Sequence, residues 1–243
     1  MALIFITGSA DGLGQLAARA LVEQGHAVVL HARNAERGRH AMQQAPGAAG
    51  VLTGDLSDIE QTQDVARQAN ALGHFDAVIH NAGVFRAAPA EILRVNTLAP
   101  YILTCLIARP RRLVYLSSDM HRHGQANLEG IRPGGGVSYS DSKLHVVLLS
   151  MAVARKWPDV CANAVDPGWV PTRMGGRGAP DDLQQGYETQ AWLAAGDDSG
   201  ARVSGRYFFH QKESRFNPLA RDVALQERFL RRCADVAGVA FPK

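Results

Sequence analysis

The chain has few cysteines, and they form no recognisable framework. Its 243 residues contain three, which are odd in number, far apart and without metal-ligand spacing: Cys105, Cys161 and Cys233. A disulfide-stabilised secreted domain is therefore disfavoured, and we expect a reduced, cytoplasmic protein. His121, His123 and His145 likewise lack acidic or cysteine partners at ligand spacing, so we expect no metal.

Long apolar runs and charge of one sign are also missing. No window approaches the roughly 18 uninterrupted apolar residues of a membrane-spanning helix. Residues 2–7 are apolar but lack the charged leader and cleavage site of a secretory signal. The formal net charge is only +3, and the densest basic cluster, at 109–112, follows an apolar helical run whose end it complements. We therefore expect a soluble protein with neither a membrane nor a nucleic acid as partner.

The sequence does contain a regular alternation of short apolar runs and helix-like stretches. The apolar runs predict strands at 2–7, 27–32, 50–53, 75–80, 113–117, 160–165 and 206–209. The stretches between them predict helices that include 14–24, 35–44, 58–72, 91–108 and 139–157. This alternation predicts an α/β fold with a mostly parallel sheet of about seven strands and helices on both faces.

Length and loop composition complete this outline. With 46% hydrophobic residues and no repeat or linker, residues 1–243 are expected to form one domain. The segments near 119–137 and 172–200 contain the loosest stretches, rich in Gly and Pro, and each follows a predicted strand. Loops at the carboxyl ends of parallel strands form ligand crevices, so we expect these two segments to be substrate loops.

A glycine-rich turn follows the first predicted strand and leads directly into a helix. Its sequence is Thr7-Gly8-Ser9-Ala10-Asp11-Gly12-Leu13-Gly14. Glycines at these positions permit a tight turn and let backbone amides approach a pyrophosphate at the helix N-terminus. A strand-to-helix turn without a ligand is the alternative. No Lys follows the last glycine, which disfavours a phosphate-hydrolysing P-loop.

The next three strand ends carry polar residues on the same predicted edge. The second strand ends in Ala32-Arg33-Asn34, the third is followed by Asp55-Leu56, and the fourth by Asn81-Ala82-Gly83. Singly, each is compatible with ordinary turn chemistry. An acidic residue after the second strand would bind the ribose hydroxyls of NAD, whereas Arg33 can pair with the 2′-phosphate of NADP. NADP(H) is therefore the expected cofactor, unless Arg33 is only a solvated helix-start residue.

Tyr139 and Lys143 are four residues apart at the start of a predicted helix, so they share one face. A cation beside a phenol favours the phenolate and lowers its pKa toward working pH, as acid/base chemistry on a carbonyl requires. Taken alone, a Tyr and a Lys four residues apart are usually surface residues of a helix without a catalytic role. Ser118 closes the fifth strand and Asn96 lies in the preceding helical segment, and each has an ordinary structural reading as well.

Together these residues resemble the short-chain dehydrogenase/reductase family, in its single-domain branch. The matching motifs cover nearly the whole chain and stand in the family's order: Thr7-Gly8-x-x-x-Gly12-x-Gly14, Asp55-Leu56, Asn81-Ala82-Gly83, Asn96, Ser118, Tyr139-x-x-x-Lys143 and Pro167-Gly168-Trp169-Val170-x-Thr172. The resemblance implies a doubly wound Rossmann fold and hydride transfer between a nicotinamide and a carbonyl or alcohol, without a metal.

The resemblance also implies a role for each matching residue. Tyr139 is the proton donor and acceptor, Ser118 orients the substrate oxygen, Lys143 binds the nicotinamide ribose and lowers the pKa of Tyr139, and Asn96 holds a water in a proton relay. The remaining positions are implied to bind the cofactor: Thr7, Gly8, Ser9, Gly12, Leu13, Gly14, Arg33, Asn34, Asp55, Leu56, Asn81, Ala82, Gly83, Pro167, Gly168, Val170 and Thr172.

The sequence departs from the family pattern in three places. The segment between Asn81 and Ser118 is short, which puts the length of the Asn96 helix in doubt. The loop from Ser118 to Tyr139 is long, as in the retinol-dehydrogenase-like branch. Asp11 stands where a small hydroxyl residue is commoner, and a carboxylate near a phosphate is unfavourable unless it points away.

Two other functions compete with carbonyl reduction. A sugar-nucleotide epimerase or dehydratase is disfavoured because such enzymes carry a larger substrate region after the Tyr/Lys helix. A non-enzymatic NADP-binding regulatory protein would have lost catalytic residues that are all present here. The expected substrate is a medium-sized, hydrophobic or aromatic carbonyl compound in a pocket formed by Met120, His121, Val137, Trp169, Met174 and the Gly-rich region after it.

The helix that starts at Tyr139 also carries an expectation about assembly. It is apolar on every face, at Leu144, Val146, Val147, Leu148, Leu149, Met151, Ala152 and Val153. A helix that only covers a sheet shows a polar stripe toward water, so we expect a partner subunit to cover its outer face. The resemblance implies pairing through this helix and the Asn96 helix, as a homodimer or homotetramer.

Overall fold

A computed structural model describes residues 1–242, and its centre is a single eight-stranded sheet. The strands are β1 (Leu3–Ile6), β2 (Ala27–Ala32), β3 (Gly50–Thr53), β4 (Ala77–His80), β5 (Arg112–Leu116), β6 (Cys161–Asp166), β7 (Tyr207–Phe209) and β8 (Lys212–Glu213). Their order is β3-β2-β1-β4-β5-β6-β7-β8, and only the last pair is antiparallel. The predicted doubly wound fold is confirmed, with one short edge strand more than expected.

Helices cover both faces of the sheet. They are α1 (Gly12–Glu23), α2 (Ala35–Gln44), α3 (Ile59–Leu72), α4 (Pro89–Ile92), α5 (Ala99–Leu106), α6 (Tyr139–Lys156), α7 (Leu183–Ala195) and α8 (Val223–Ala237). A π-helical stretch, Leu93–Leu98, joins α4 to α5. Six of the helices begin after an Asp, Asn or Ser whose side chain accepts a hydrogen bond from the first turn, which satisfies a free backbone donor.

The core is divided by the sheet into two apolar clusters. Alternate strand residues point to opposite faces, so neighbours such as Ile4 and Phe5 belong to different clusters. One cluster lies under α1, α2 and α7, and the larger one lies under α3, α5, α6 and α8. The carboxyl ends of the parallel strands therefore meet along one edge, where the polar strand-end residues come together.

The two predicted substrate loops contain more regular structure than expected. Within 172–200, residues Leu183–Ala195 form α7, so the loop assignment is wrong there. Asp182 caps this helix by accepting from the backbone nitrogen of Gln185 at 2.8 Å. Gly186 lets α7 approach the preceding turn, because a Cβ there would lie 2.8 Å from the carbonyl oxygen of Pro167. Within 119–137, two 3₁₀ turns form at Asp119–His123 and Leu128–Gly130.

The apolar surface of α6 is covered by the chain's own C-terminal segment. From Asp141 to Val153 every residue of α6 is buried within this single chain. The Phe229 ring of α8 lies 5.3 Å from the His145 ring, and Lys156 pairs with Glu227 at 2.9 Å. The reasoning that required a partner subunit on α6 is therefore wrong, because it left out α8. In residues 1–242 no helix combines the length and apolar character needed to cross a membrane.

Candidate active site

The glycine-rich turn after β1 is interlocked with the turn after β4. Asn81 donates from Nδ2 to the carbonyl oxygens of Thr7 at 2.9 Å and Gly8 at 3.2 Å. The Thr7 hydroxyl accepts from the backbone nitrogen of Ala82 at 3.0 Å. Gly8 has a φ of +64°, and a Cβ there would lie 2.8 Å from the Cα of Ala82. Only glycine suits both the conformation and the close approach.

The N-terminus of α1 faces this turn. A Cβ on Gly14 would lie 2.8 Å from the carbonyl oxygen of Gly8, and closer still to the Asn81 amide. Asp11 caps α1 by accepting from the backbone nitrogen of Gly12 at 2.8 Å, and its other oxygen is 3.8 Å from Arg37. This cap accounts for the unusual carboxylate in the turn. The turn and helix end form a backbone cradle of the kind that suits a pyrophosphate.

Ser9 and Leu13 support the cradle from within. The Ser9 side chain is fully buried, donates to the carbonyl oxygen of Ile6 at 2.8 Å and accepts from the backbone nitrogen of His31 at 2.8 Å. Leu13 is half-buried and faces Gly186 of α7. Both predicted cofactor residues thus lie at the site, but the Ser9 side chain is committed to the protein's own backbone.

His31 is a site residue that sequence reasoning missed. It lies in β2, where its Nδ1 accepts from the backbone nitrogen of Gly8 at 3.0 Å and its Nε2 donates to the carbonyl oxygen of Gly54 at 3.0 Å. Burial lowers the pKa of His31 to about 4, so the ring is neutral and bridges three strand ends. A polar residue inside an otherwise apolar strand was the available signal.

The segment after β2 carries the predicted adenosine contacts. Arg33 is exposed, with its Nε 3.8 Å from the Asp55 carboxylate. Asn34 caps α2 through a 3.0 Å hydrogen bond from the backbone nitrogen of Arg37. Asp55 accepts from the Ser57 hydroxyl at 2.7 Å, and Leu56 is buried beside it. Arg33 therefore has a guanidinium free to turn toward a bound phosphate, while Asn34 has a structural task.

Ser118, Tyr139 and Lys143 come together at the end of β5. Tyr139 opens α6, and Lys143 lies one turn later with its Nζ 5.5 Å from the centre of the Tyr139 ring. Lys143 is buried and donates to the carbonyl oxygen of Leu116 at 2.8 Å. Ser117, the neighbour of Ser118, donates to the carbonyl oxygen of Lys143 at 3.0 Å. These bonds hold the start of α6 against the strand end.

Burial dominates the electrostatics of this group. It raises the pKa of Tyr139 to about 12, although a hydrogen bond with Ser118 works in the opposite direction. Burial also lowers the pKa of Lys143 to about 8, and the Asp166 carboxylate partly offsets this effect. On balance the pKa of Tyr139 is therefore raised, because the phenol loses water when it is buried, and the expected lowering by Lys143 stays a prediction.

Asn96 lies inside the π-helical stretch Leu93–Leu98. The short segment between Asn81 and Ser118 therefore still places Asn96 on a helix. Its Oδ1 accepts from the backbone nitrogen of Val84 at 2.8 Å, and its Nδ2 donates to the Val84 carbonyl at 2.9 Å and to Ser142 at 3.1 Å. Gly83 lies between the two sides of the site, since a Cβ there would be 3.4 Å from Lys143 Nζ. Asn96 therefore fixes the turn after β4 against α6.

The turn after β6 closes the site and adds a second residue that was missed. Asp166 is buried, accepts from the backbone nitrogen of Gly168 at 2.9 Å, and its charge raises the pKa of Tyr139. Thr172 faces the glycine-rich turn, where a Cβ on Gly12 would lie 3.9 Å from its methyl group. The predicted residues Pro167, Gly168 and Val170 belong to the same turn, in which Val170 is buried.

The predicted substrate pocket is only partly correct. Met120, Trp169 and Met174 are exposed by 39%, 60% and 48%, a large fraction for apolar side chains. Phe85 was not predicted, but its ring lies 4.7 Å from that of Tyr139. His121 is wrong as a lining residue, and so is Val137, because the loop turns both into the core. No cluster of three or more metal-ligating side chains occurs in the described part of the chain, 1–242.

Comparison with known proteins gives consistent matches. A family model described as short chain dehydrogenase matches residues 2–110. An uncharacterized oxidoreductase of Emericella nidulans is 46% identical, covering 100% of this chain and 99% of the relative. Short-chain dehydrogenase chyC of Penicillium rubens is 41% identical, covering 100% of both chains. The crystal structure of a blue fluorescent protein from a metagenomic library, in complex with NADPH, is similar in fold, with a TM-score of 0.72 at 22% identity over 86% of this chain and 95% of that one.

Proposed function

This chain belongs to the short-chain dehydrogenase/reductase family, and from that premise we propose that it is an NADP(H)-dependent oxidoreductase that interconverts a carbonyl and an alcohol. The observation that carries the proposal is the meeting of Ser118, Tyr139 and Lys143 at the same sheet edge as the backbone cradle. A phenol, a hydroxyl and an ammonium group in one place suit proton transfer to a carbonyl oxygen.

The residues that would hold the cofactor lie between the turn after β1 and the turn after β6. Backbone groups of the glycine-rich turn and the α1 N-terminus suit the pyrophosphate, and the turn at Gly168–Thr172 faces them across the cleft. When bound, the nicotinamide supplies the hydride. The NADPH held by the metagenomic blue fluorescent protein, similar in fold, supports this cofactor class.

Arg33 supports a preference for NADP(H), because its guanidinium is exposed next to Asp55. Replacing Arg33 with Ala should weaken NADPH binding by about 10–150-fold, equivalent to about 1.5–3 kcal/mol, and leave NADH binding unchanged. Calorimetric titration of both cofactors measures this, with Arg39→Ala, an exposed arginine of α2, as the matched control. Equal losses for both cofactors would make Arg33 a structural residue.

Proton transfer is assigned to Tyr139. With its pKa raised to about 12, the phenol keeps its proton at neutral pH and can donate it to a carbonyl oxygen. The Ser118 hydroxyl orients that oxygen, the Lys143 ammonium contributes positive charge beside the phenol, and Asn96 holds the turn after β4 in register. A water held at Asn96 stays a prediction.

The decisive test removes only the transferable proton. Tyr139→Phe should lower kcat by at least about 10²-fold while NADPH affinity stays within about twofold, since acid/base groups contribute about 10²–10⁴-fold. NADPH oxidation followed across a carbonyl panel measures the rate, and Tyr187→Phe on α7 is the control for loss of a tyrosine hydroxyl. Retention of more than about a tenth of the wild-type rate would contradict the role of Tyr139.

The substrate proposed for this site is a hydrophobic or aromatic carbonyl compound. The Phe85 ring lies 4.7 Å from that of Tyr139, and Met120, Trp169 and Met174 expose apolar surface on the segments that follow β5 and β6, which favours ligands with apolar surface. The carbonyl panel should therefore show higher kcat/KM for aryl ketones than for small polar aldehydes. NADPH binding without turnover of any carbonyl would instead favour the regulatory-protein alternative.

A further inference from the structure

His121 is a buried histidine with a hydrogen-bond partner on each side of its ring. It lies in the 3₁₀ turn directly after Ser118, and the ring has no exposure to solvent. Nδ1 lies 2.7 Å from the carbonyl oxygen of Ser118, which also accepts from the backbone nitrogen of His121 at 3.0 Å. On the far side, the backbone nitrogen of Asn217 donates to Nε2 at 3.1 Å.

These partners determine the state of the ring. A carbonyl oxygen can only accept, so Nδ1 must carry the hydrogen; a backbone N–H can only donate, so Nε2 must be free of one. Burial lowers the pKa of His121, in agreement with a neutral ring. His121 is therefore held in a single tautomer, with both nitrogens committed to the protein.

Asn217 connects this ring to the C-terminal part of the chain. It is 96 residues from His121 in sequence and lies just before the segment that leads into α8. Its side-chain amide donates to the carbonyl oxygen of Gly124 at 3.1 Å and thereby closes the same 3₁₀ turn. Tyr207 of β7 packs its ring 4.6 Å from the imidazole, and its hydroxyl oxygen, 3.2 Å from Nδ1, is a second acceptor for the Nδ1 hydrogen. The turn that carries Ser118 is thus tied to elements on the far side of β6.

We propose that His121 is a positioning residue that clamps the Ser118 backbone to Asn217 and so aims the Ser118 hydroxyl for the reaction. This inference rests on the proposed carbonyl-reductase function. Within residues 1–242, the other contacts recorded for the Ser118 side chain are with the backbone nitrogen of Met120 and with Tyr139. A shift of about 1 Å in a catalytic group can reduce a rate by on the order of 10²-fold.

Two amide substitutions separate the two ends of the clamp. His121→Asn places an amide nitrogen near the position of Nδ1 and can still donate to Ser118. His121→Gln places an amide oxygen near the position of Nε2 and can still accept from Asn217, but it loses the bond to Ser118. His121→Asn removes one methylene more than His121→Gln, so it should cost the fold more stability, and thermal unfolding of both variants is measured beside the rates. His123→Phe, at an exposed histidine of the same turn, is the control.

The expected rates differ between the two amides. His121→Asn should keep kcat within about tenfold of wild type, because one net hydrogen bond is worth about 0.5–1.5 kcal/mol. His121→Gln should lose kcat by on the order of 10²-fold. The NADPH dissociation constant should be unchanged in both, since the clamp does not touch the cofactor cradle. Equal kcat losses in both variants would show that His121 only stabilises the fold and would overturn the proposal.

Nuclear magnetic resonance of the wild-type protein tests the clamp without activity. Long-range proton–nitrogen spectra should show an Nδ1-protonated, neutral His121 at pH 7, and the amide signal of Ser118 should move in His121→Gln but not in His121→Asn. A His121 ring that carries its proton on Nε2 in the wild-type protein would overturn the clamp, whatever the rates of the variants. A wild-type protein that turns over no carbonyl, yet shows this tautomer and these shifts, would refute the proposed function and leave the clamp standing.

Discussion

Replacement of Phe229 by Ala tests how strongly α8 is attached to α6. Phe229 is fully buried, and its ring packs against His145 on the apolar face of α6. Removing a buried phenylalanine ring costs about 3–5 kcal/mol, since apolar contacts are lost and a cavity remains. For a domain of this size, 1 kcal/mol shifts Tm by about 2–4 °C, so the variant should melt about 6–20 °C below wild type.

The assay combines thermal unfolding by circular dichroism with light scattering after size exclusion. Wild type should elute as a species near the chain mass of 26.2 kDa, because α6 already has its cover. Arg228→Ala, at an exposed position of α8, is the matched control and should change stability by less than about 0.5 kcal/mol. In Phe229→Ala, loosening of α8 should expose the α6 face and produce larger species as the temperature rises.

Two results would refute this reasoning. A Phe229→Ala protein that melts within about 2 °C of wild type would show that α8 contributes little to the fold. A wild-type species of twice the chain mass would show that the protein pairs despite α8, through a surface other than the buried face of α6.

Three further outcomes are expected. Gly14→Ala should weaken NADPH binding at least about tenfold in a calorimetric titration, because the added Cβ would displace the Asn81 amide; unchanged affinity would contradict the cradle. The folded-state pKa of His31, about 4, lies below its unfolded value of about 6.5, so this residue stabilises the fold above pH 6.5 and loses about 3 kcal/mol of stability as pH falls to 4. Urea unfolding at both pH values should show a loss that is about 3 kcal/mol smaller in His31→Phe than in wild type, because the buried His80 and His145, whose pKa values are also lowered, still contribute to it. Asp166→Asn should move the alkaline limb of the pH–rate profile to lower pH, since the Asp166 charge raises the pKa of Tyr139. A shift of that limb to higher pH would contradict the placement of Asp166 beside Tyr139.

Much of the site was readable because its signals are local in sequence. The glycine spacing in the first turn, the four-residue step from Tyr139 to Lys143 and the polar residues after apolar runs each reflect chemistry within a few positions. The parallel sheet then places those strand ends on one edge. Boundaries were accurate to within a few residues, as at β2 and β3, where prediction and structure coincide.

The functions of several polar residues could not be read in the same way. Asn34 carries a helix cap and Ser9 binds backbone beneath the turn, although the motif suggested direct cofactor contacts for both; Asp11, whose role the sequence left open, also carries a helix cap. His121 was expected to line the pocket but is turned inward by its partners. A motif specifies which residues lie near a ligand; which side chains remain free to touch it depends on the hydrogen bonds each one finds after folding.

The sequence by itself therefore determined the fold class, the positions of the main strands along the chain, and a large part of the set of residues expected at the site. Only the tertiary structure decided what covers α6, which tautomer His121 holds, and that burial, which outweighs the hydrogen bond from Ser118, raises the pKa of Tyr139. The physical reason is sequence separation. Periodicity and turn chemistry act over a few residues, whereas the contact of Asn217 with His121 joins positions 96 residues apart and leaves no local pattern in the chain.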